Sequence, residues 1–329
     1  MKNYVLTVNV ISYNQVLWIQ KYLDSILEQK TDFDYIVRIF DDCSTDGTQD
    51  ICREYEQKYP DKVKLFPAPQ NLGEKKGVLV NALRSYENIE TPYFVFIEGD
   101  DFLYSDDVFQ TEKDLLDKYS ECSFVYGKTY MMEKDEYVGI PYPNGLSEGI
   151  ISKQFCYEHP DTYVFSNLCS RMVRTACVKV DYEHPGDSII DSLCFFNLLL
   201  YGNAYFCNKT FGVYRKTSCG VVTGISFWER AKTLLADLEE FSRKTEYKFD
   251  INLKFFFIED IKARFYNDIG YDRNFFLNKY YLGGAEKKEK KKKRKKIIKI
   301  ILKSILPGFI PMAIHAFRDL DRKIRGKSR

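Results

Sequence analysis

Residues 93–103 read YFVFIEGDDFL, an apolar run that is typical of a buried strand and stops at three acids. Glu98, Asp100 and Asp101 crowd into four positions. Like charges about 4 Å apart repel by about 1 kcal/mol in water and by more near a protein interior. A cluster of hard oxygen ligands suits Mg²⁺ or Mn²⁺ and not zinc. The stretch therefore predicts a strand that ends at a cation or ligand site.

Upstream of this stretch, strand and helix patterns alternate along the chain. This alternation predicts an α/β fold with a mostly parallel sheet flanked by helices, in which ligands bind at the carboxyl ends of the strands. The acids of FDD (40–42) and EGDD (98–101) follow two of these strands. The predicted strands are 4–12, 35–42, 63–68 and 93–101, and the predicted helices are 17–29, 44–59 and 75–86.

The 329 residues suffice for one large domain or two smaller ones. Residues 1–225 are predicted to form the main domain, divided into a ligand-binding half (1–107) and a second half (108–225). The second half begins with a helix (108–119) and a strand (122–132) and is less regular after them. Two helical stretches indicate a C-terminal helical extension over 226–285, and a basic tail follows at 286–329.

Charge is distributed unevenly between the body and the tail. Residues 286–329 hold 17 Lys and Arg against 4 acids, whereas residues 1–285 hold 32 against 43. Lysines at three- and four-residue spacing alternate with isoleucines, a pattern typical of an amphipathic helix at an anionic membrane surface. We expect residues 286–317 to contact such a membrane. A partner-binding or nucleic-acid-binding tail is the alternative.

The cysteines and aromatic residues carry less specific information. Nine scattered cysteines without a CxxC pair argue against a disulfide framework and for a reducing, cytoplasmic compartment. The chain holds 25 Tyr and 25 Phe, most of which we expect in the core. Exposed members could stack on sugar rings or bases.

Four short motifs follow one another on the alternating elements. They are SYN (12–14), DDCSTDGT (41–48), NLG (71–73) and EGDDFL (98–103). Each alone could be a turn or a helix cap. Together, residues 8–107 resemble family 2 glycosyltransferases of the GT-A fold, particularly bacterial members that build surface polysaccharide. Such enzymes transfer a sugar from a nucleotide diphosphate to an acceptor with inversion.

The resemblance implies roles for the residues that would bind the nucleotide. Tyr13 and Asn14 match the pair beside the base and ribose. Asp41 and Asp42 match the paired acids, one of which accepts a hydrogen bond from the uracil ring N–H. Two further positions that match the lining of the nucleotide pocket are Gly73 and Asn81.

EGD matches the DxD motif of the family, with Glu in place of the first Asp. Asp100 is then the chief ligand of Mn²⁺ or Mg²⁺ on the diphosphate. Glu98 would reach the ribose or a metal-bound water, and Asp101 would support the site. In the second half, Asp187 matches the segment that supplies the general base, and Asp191, one helical turn further, is the alternative.

Two features depart from the family pattern. The helix after the candidate base lacks the usual Trp. The segment VYRKTSCG (213–220) lacks the His expected near Thr217, so Arg215 or Lys216 is the candidate replacement.

The sequence therefore predicts a metal-dependent inverting glycosyltransferase on the cytoplasmic face of the membrane. It would move a sugar, from UDP-sugar by preference, to a glycan or lipid-linked acceptor. A nucleotidyltransferase is one alternative, although the glycine- and Arg/Lys-rich loop typical of that class is missing after the first strand. A nucleic-acid-binding protein is the other, and the net negative body opposes it.

Overall fold

The computed structural model describes residues 2–72, 77–143, 145–158, 169, 171–179 and 191–217. The helices within them are α1 (Ile19–Leu27), α2 (Thr48–Lys58), α3 (Gly77–Tyr86), α4 (Val108–Lys118), α5 (Lys153–Glu158), α6 (Asp191–Leu199) and a 3₁₀ turn (Thr175–Cys177). The strands are β1 (Leu6–Ser12), β2 (Tyr35–Asp41), β3 (Val63–Pro67), β4 (Tyr93–Glu98), β5 (Phe102–Leu103), β6 (Cys122–Glu133), β7 (Glu136–Tyr142), β8 (Gly149–Ile151), β9 (Arg171–Arg174) and β10 (Asn203–Lys216).

The strands join in one sheet with the order β3-β2-β1-β4-β9-β6-β10-β5. The first four are parallel, as the alternating pattern predicts. The remainder is mixed, because β9 runs antiparallel to both β4 and β6 whereas β10 runs parallel to β6. Strand β7 also pairs with β6, and β8 with β10. The parallel part carries the predicted ligand edge.

Apolar side chains on both faces of the sheet are buried under helices. Every residue of β1 is buried, as expected for a central parallel strand. Helix α1 buries Ile19, Tyr22, Leu23 and Ile26 at helical spacing. Phe195 of α6 packs edge-on against Phe124 of β6, with ring centroids 5.4 Å apart. The core therefore extends across both halves of the described sheet.

The start of α2 differs from the sequence prediction. The helix begins at Thr48, preceded by Gly47 at φ 103°, and not at a capping Ser or Thr at position 44 or 45. Asp46 Oδ1 accepts the Thr48 N–H at 3.0 Å. Residues 44–47 therefore belong to the loop between β2 and α2 and not to the helix.

Among the described cysteines none forms a disulfide. Within the same part of the chain, no helix has the length and apolar character needed to cross a bilayer. The predicted extension (226–285) and tail (286–329) lie outside the described residues.

Candidate active site

Strands β1, β2 and β4 bring three of the sequence motifs to one edge. The parallel register places Ser12 beside Asp41 and Ile11 beside Glu98. The loops that leave these strands therefore start next to one another, at the carboxyl edge where ligands bind in open α/β sheets. The structure thus brings together the acids of FDD and EGDD.

Asp41 holds the loop that follows β2. Its side chain is fully buried, and its two oxygens accept hydrogen bonds from four donors. The donors are Ser12 Oγ at 3.1 Å, Ser44 N at 2.9 Å, Ser44 Oγ at 2.5 Å and Gln49 Nε2 at 2.9 Å. Four bonds occupy the acceptor sites that an ionised carboxylate offers. The Asp41 carboxylate therefore stabilises the loop after β2, with its acceptor sites used by protein donors.

Asp42 has fewer partners than Asp41. Its main-chain N–H donates to Ser12 O at 2.9 Å, and its Oδ1 accepts the Leu72 N–H at 2.9 Å. The other oxygen, Oδ2, has a long 3.5 Å contact with Asn71 Nδ2. Burial raises the pKa of Asp42, and the neighbouring Asp41 charge adds to that effect. Asp42 therefore keeps acceptor capacity in a setting where a donor from a ligand would stabilise its charge.

Tyr13 and Asn14 lie in the loop after β1, as expected. Asn14 adopts a left-handed φ of 51°, which Asn tolerates better than most residues. Its N–H donates to Ser44 Oγ at 2.9 Å, and its Oδ1 accepts the Thr45 N–H at 3.0 Å. Tyr13, which precedes Asn14, is 43% exposed. The two loops are thus fixed to each other while one aromatic ring remains accessible.

Asn81 is placed differently from a pocket-lining residue. Its side chain is buried, with Nδ2 donating to Phe40 O at 2.7 Å and Oδ1 accepting from Arg84 Nη1 at 3.0 Å. The amide therefore ties α3 to β2. A role of Asn81 in nucleotide binding stays a prediction.

The three acids of EGDD differ in burial. Asp101 is 2% exposed, whereas Glu98 and Asp100 are partly exposed. Burial raises the pKa of Asp100, and the nearby Arg215 opposes that rise. Burial raises the pKa of Asp101 well above its usual range, with further contributions from the charges of Asp100 and Glu98. A cation at this turn would favour the charged form of both carboxyls and would offset the repulsion that Asp100 and Glu98 exert on Asp101.

Gly99 lets the acidic turn approach the loop after β1. Its N–H donates to Ile11 O at 3.0 Å. A Cβ at this position would lie 2.4 Å from Gln15 Oε1 and 3.0 Å from Ile19 Cδ1. Gln15 Oε1 is itself buried without a hydrogen-bond partner. Gln15 is not among the residues predicted from the sequence, because a single Gln after a strand carries no recognisable signal.

The residues present fit a divalent cation of the Mg²⁺ type. The described residues contain no group of three or more His, Cys, Asp and Glu side chains that could hold a metal ion. Mg²⁺ is usually bound by one or two carboxylates together with substrate phosphates and waters, and needs no such group. Asp100, Glu98 and the orphaned Gln15 oxygen are hard donors around one turn.

Strand β10 supplies a residue from the far end of the described chain. The Arg215 N–H donates to Asp101 Oδ1 at 2.9 Å, and its Nε donates to Asp100 O at 3.3 Å. Its Nη1 lies 2.5 Å from Asp135 Oδ1. The cation proposed to replace the missing His is therefore next to the acids. Lys216 follows at the end of the strand.

Two other residues predicted from the sequence lie outside the described part of the chain. Gly73 and Asp187 fall in segments that the structure does not describe. Asp191 begins α6, but its side chain is likewise outside the described part.

Comparison with known proteins identifies the family of this chain. Residues 7–158 match the sequence profile of glycosyl transferase family 2. The chain is also 31% identical over 246 residues to the putative teichuronic acid biosynthesis glycosyltransferase TuaG of Bacillus subtilis, covering 70% of this chain and 87% of TuaG. The chain is a family 2 glycosyltransferase.

A second relative of this family 2 glycosyltransferase is matched over a shorter stretch. The dTDP-rhamnosyl transferase RfbG of Shigella flexneri is 33% identical over 97 residues, which is 30% of this chain and 33% of RfbG. The chain thus spans about a third of the length of RfbG. These comparisons give no support to the nucleotidyltransferase and nucleic-acid-binding alternatives.

The fold comparison includes S. aureus TarS 1-349 in complex with UDP-GlcNAc. It superposes on this chain with a TM-score of 0.57 at 19% identity, covering 88% of this chain and 78% of TarS 1-349. The likeness confirms the expected GT-A fold.

Proposed function

We propose that this protein transfers a sugar from a UDP-sugar to a glycan or lipid-linked acceptor during synthesis of a bacterial surface polysaccharide, with inversion. The observation that carries the proposal is the convergence of buried Asp42 and the Asp100 turn at one edge of β1, β2 and β4. One group suits a nucleotide base and the other its diphosphate. RfbG and TuaG, whose names assign them to sugar transfer and teichuronic acid biosynthesis, support the polysaccharide context.

Asp42 is the acceptor for the ring N–H of the base. Its Oδ2 has only a long protein contact, whereas the oxygens of Asp41 already accept four hydrogen bonds. A carboxylate can only accept, so it selects a base that presents an N–H, as uracil does. Tyr13 and Asn14 would lie beside the base and ribose, and Gly73 would line the same pocket.

Asp100 is the ligand for a divalent cation, with Glu98 directed to the ribose or to a water on that cation. When bound, Mn²⁺ or Mg²⁺ would supply positive charge against the negative charge that develops on the departing diphosphate. Asp101 and Arg215 position Asp100, because they connect the acidic turn to β10 through the contacts described above.

The acceptor hydroxyl needs a general base on the side opposite the leaving group. Asp187 is the proposed base and Asp191 the alternative. A carboxylate can take the hydroxyl proton as the oxygen attacks the anomeric carbon.

The basic tail would hold the enzyme at the cytoplasmic face of the membrane. Residues 286–317 combine lysines and isoleucines in the pattern of an interfacial helix, which supports contact with anionic lipid. Removal of residues 286–329 should abolish binding to phosphatidylglycerol vesicles and preserve turnover of a soluble acceptor. Loss of RNA or DNA binding in that variant would favour the alternative role of the tail.

Titration calorimetry tests the donor site. The full chain is titrated with UDP, UDP-sugars and dTDP-sugars, with and without Mn²⁺. We expect binding of a UDP-sugar that Mn²⁺ strengthens. The absence of nucleotide-sugar binding under both conditions would disprove the proposal.

Asp100→Asn tests the metal ligand in the same assay. The variant should lose the Mn²⁺-dependent part of UDP binding and lower transfer by about a hundredfold or more, as expected when charge stabilisation at the leaving group is removed. Asp106→Asn is the matched control, because Asp106 pairs with Lys30 at the protein surface. Retention of metal-dependent transfer in Asp100→Asn would show that Asp100 is not the ligand.

A further inference from the structure

Three tyrosines form a partly exposed cluster beside the acidic turn. We name Tyr104, Tyr130 and Tyr137 the tyrosine platform. The centroid of Tyr130 lies 5.3 Å from that of Tyr104 and 5.0 Å from that of Tyr137, and the Tyr104 and Tyr137 centroids are 6.4 Å apart. Tyr104 is 46% exposed and Tyr137 is 51% exposed. The platform is therefore a cluster of rings inclined to one another by 39–69°, of which Tyr104 and Tyr137 are open to solvent.

The sheet register places the platform on the same face as Arg215. Val213 of β10 pairs with Phe102 of β5 and with Tyr130 of β6. Two residues along, Arg215 pairs with Met132, which in turn pairs with Tyr137. Directly paired residues project to the same face, as do residues two apart on one strand.

Arg215 also connects the acidic turn to the β6–β7 turn beside the platform. It contacts Asp100 and Asp101 on one side and Asp135, in the turn between β6 and β7, on the other. Tyr137 follows Asp135 by two residues, and Tyr104 follows Asp101 by three. Three residues span at most about 11 Å between Cα atoms. The platform is therefore within reach of a chain of sugars whose end lies at the acids.

The charge around the platform favours one class of occupant. The turn Glu133–Glu136 exposes three acids and one lysine, and Arg215 and Lys216 of β10 lie opposite its strands. These charges balance, so the surface has no excess positive charge for a polyphosphate, an anionic lipid or a nucleic acid. Its exposed carboxylates accept hydrogen bonds from sugar hydroxyls, so a neutral carbohydrate suits it better. Burial raises the pKa of Tyr137, and the phenols of Tyr104 and Tyr130 add to that effect. The hydroxyl therefore stays protonated and can donate to a sugar oxygen.

We propose that the tyrosine platform is a stacking subsite for a neutral sugar ring of the acceptor glycan, one or more units away from the attacking hydroxyl. The inference rests on the proposed function, since it assigns the acceptor of that reaction to a specific surface and a chemical class. Flat aromatic rings bury the apolar C–H face of a sugar, and the phenol hydroxyls bind its edge.

A binding assay with the full chain tests the subsite. With UDP and Mn²⁺ present, the protein is exposed to immobilised short neutral oligosaccharides, to poly(glycerol phosphate) and to phosphatidylglycerol vesicles. We expect neutral oligosaccharides to bind, and Tyr104→Ala and Tyr137→Ala each to weaken that binding about tenfold, which corresponds to about 1.4 kcal/mol. Tyr137→Phe retains the ring and should stay within about threefold of wild type.

Val138→Ala is the matched control. Val138 is adjacent to Tyr137, projects to the opposite face of β7 and is 46% exposed. Its replacement should leave oligosaccharide binding unchanged. UDP binding of each variant is measured separately by calorimetry and shows whether the variant is folded and has an intact donor site. A failure of the donor proposal is therefore distinguishable from a failure of the subsite proposal.

Three results would overturn the inference. They are the absence of neutral oligosaccharide binding by the wild-type chain, equal binding by wild type and both alanine variants, and binding of poly(glycerol phosphate) or vesicles alone.

Discussion

The main-chain N–H of Arg215 donates to Oδ1 of Asp101 at 2.9 Å, although 114 residues separate the two in sequence. This bond joins β10 to the turn that ends β4. The Arg215 side chain adds bonds to Asp100 O and Asp135. The acidic turn is therefore fixed by a strand from the opposite half of the described fold.

Arg215→Ala should keep the main-chain bond and lose the guanidinium. Without that positive charge, which opposes the burial-induced rise in the pKa of Asp100, the carboxyl ionises at a higher pH. Transfer at neutral pH should fall about tenfold or more, since hydrogen bonds to charged groups contribute about 1.5–3 kcal/mol. The midpoint of Mn²⁺-dependent UDP binding should move to higher pH in a calorimetric pH series.

Asp135→Asn is the control for this change. Asp135 is largely exposed, and its loss leaves Arg215 beside Asp100. An unchanged pH midpoint in Arg215→Ala would show that the guanidinium does not influence the acids.

Gly99→Ala should displace the acidic turn. The added methyl would lie 2.4 Å from Gln15 Oε1, and the main-chain carbonyl of Ile11, at 3.2 Å, prevents a simple shift. We expect a loss of about 1–3 kcal/mol in the free energy of unfolding, as for other overpacked sites. Metal-dependent UDP binding should weaken more than tenfold, measured by calorimetry on protein shown to be folded.

The corresponding control is Gly145→Ala. Gly145 has a φ of +83° and nothing within 4 Å of an added Cβ, so the change costs backbone strain without a steric clash. Its UDP binding should equal that of wild type. Equal binding by Gly99→Ala would refute the tight approach as a requirement of the site.

Asp42→Asn and Asp41→Asn should separate nucleotide binding from folding. In Asp42→Asn, UDP affinity should fall about tenfold with little change in melting temperature, because the buried carboxylate at this position has few partners. In Asp41→Asn, the amide nitrogen replaces one oxygen and faces either the hydroxyls of Ser12 and Ser44 or the N–H donors of Ser44 and Gln49. That mismatch should cost about 1–3 kcal/mol of stability. The reverse pattern, in calorimetry and thermal melts, would assign the base contact to Asp41.

Glu112→Gln should stabilise the protein at neutral pH. Glu112 is 1% exposed on α4, and its Oε1 has no hydrogen-bond partner. Burial raises its pKa well above the usual range, against opposing effects of the Met172 N–H and Arg171. The folded state therefore retains a proton that the unfolded chain releases, and stability falls as pH rises above about 4.3, the value for an unfolded Glu.

Thermal melts at pH 4 and pH 8 measure this effect. Glu112→Gln should match wild type at pH 4 and melt about 2–4 °C higher at pH 8, equivalent to about 1 kcal/mol. Glu54→Gln, on the exposed face of α2, should show no difference at either pH. A lower melting temperature of Glu112→Gln at pH 8 would indicate an ionised Glu112 paired with Arg171.

The sequence predicts the fold of residues 1–107 well because their helices and strands have regular patterns. Strand β4 is a continuous apolar run before Glu98, β2 is apolar except for Arg38 and its final Asp41, and β1 alternates apolar and polar residues. The acids at the ends of β2 and β4 mark the edge where the site is proposed. The position of Asp42 and Asp100 at this edge was thus predictable from the sequence, whereas their roles as site residues came from the resemblance to the family and stay predictions. The different hydrogen-bond partners of Asp41 and Asp42 could not be predicted, because those partners belong to three other segments.

Strand β10 shows why the second half was harder to predict. Its sequence NAYFCNKTFGVYRK contains a polar interruption at Asn208 and Lys209, where the pairing with β6 shifts register. The apolar alternation is broken at that bulge, so the pattern indicates an irregular segment. The contacts of Arg215 with the acids depend on this strand and were therefore visible only in the structure.

The position of β10 also has a consequence for biosynthesis of the protein. A ribosome adds about 5–20 residues per second, so the 114 residues from Asp101 to Arg215 take about 6–23 s to emerge. Throughout that interval the nascent chain carries the complete Asp41 and Asp42 loop but lacks the strand that anchors the acidic turn. The turn that holds Asp100 and Asp101 thus gains its anchor late in translation, after residues 1–107 have been made.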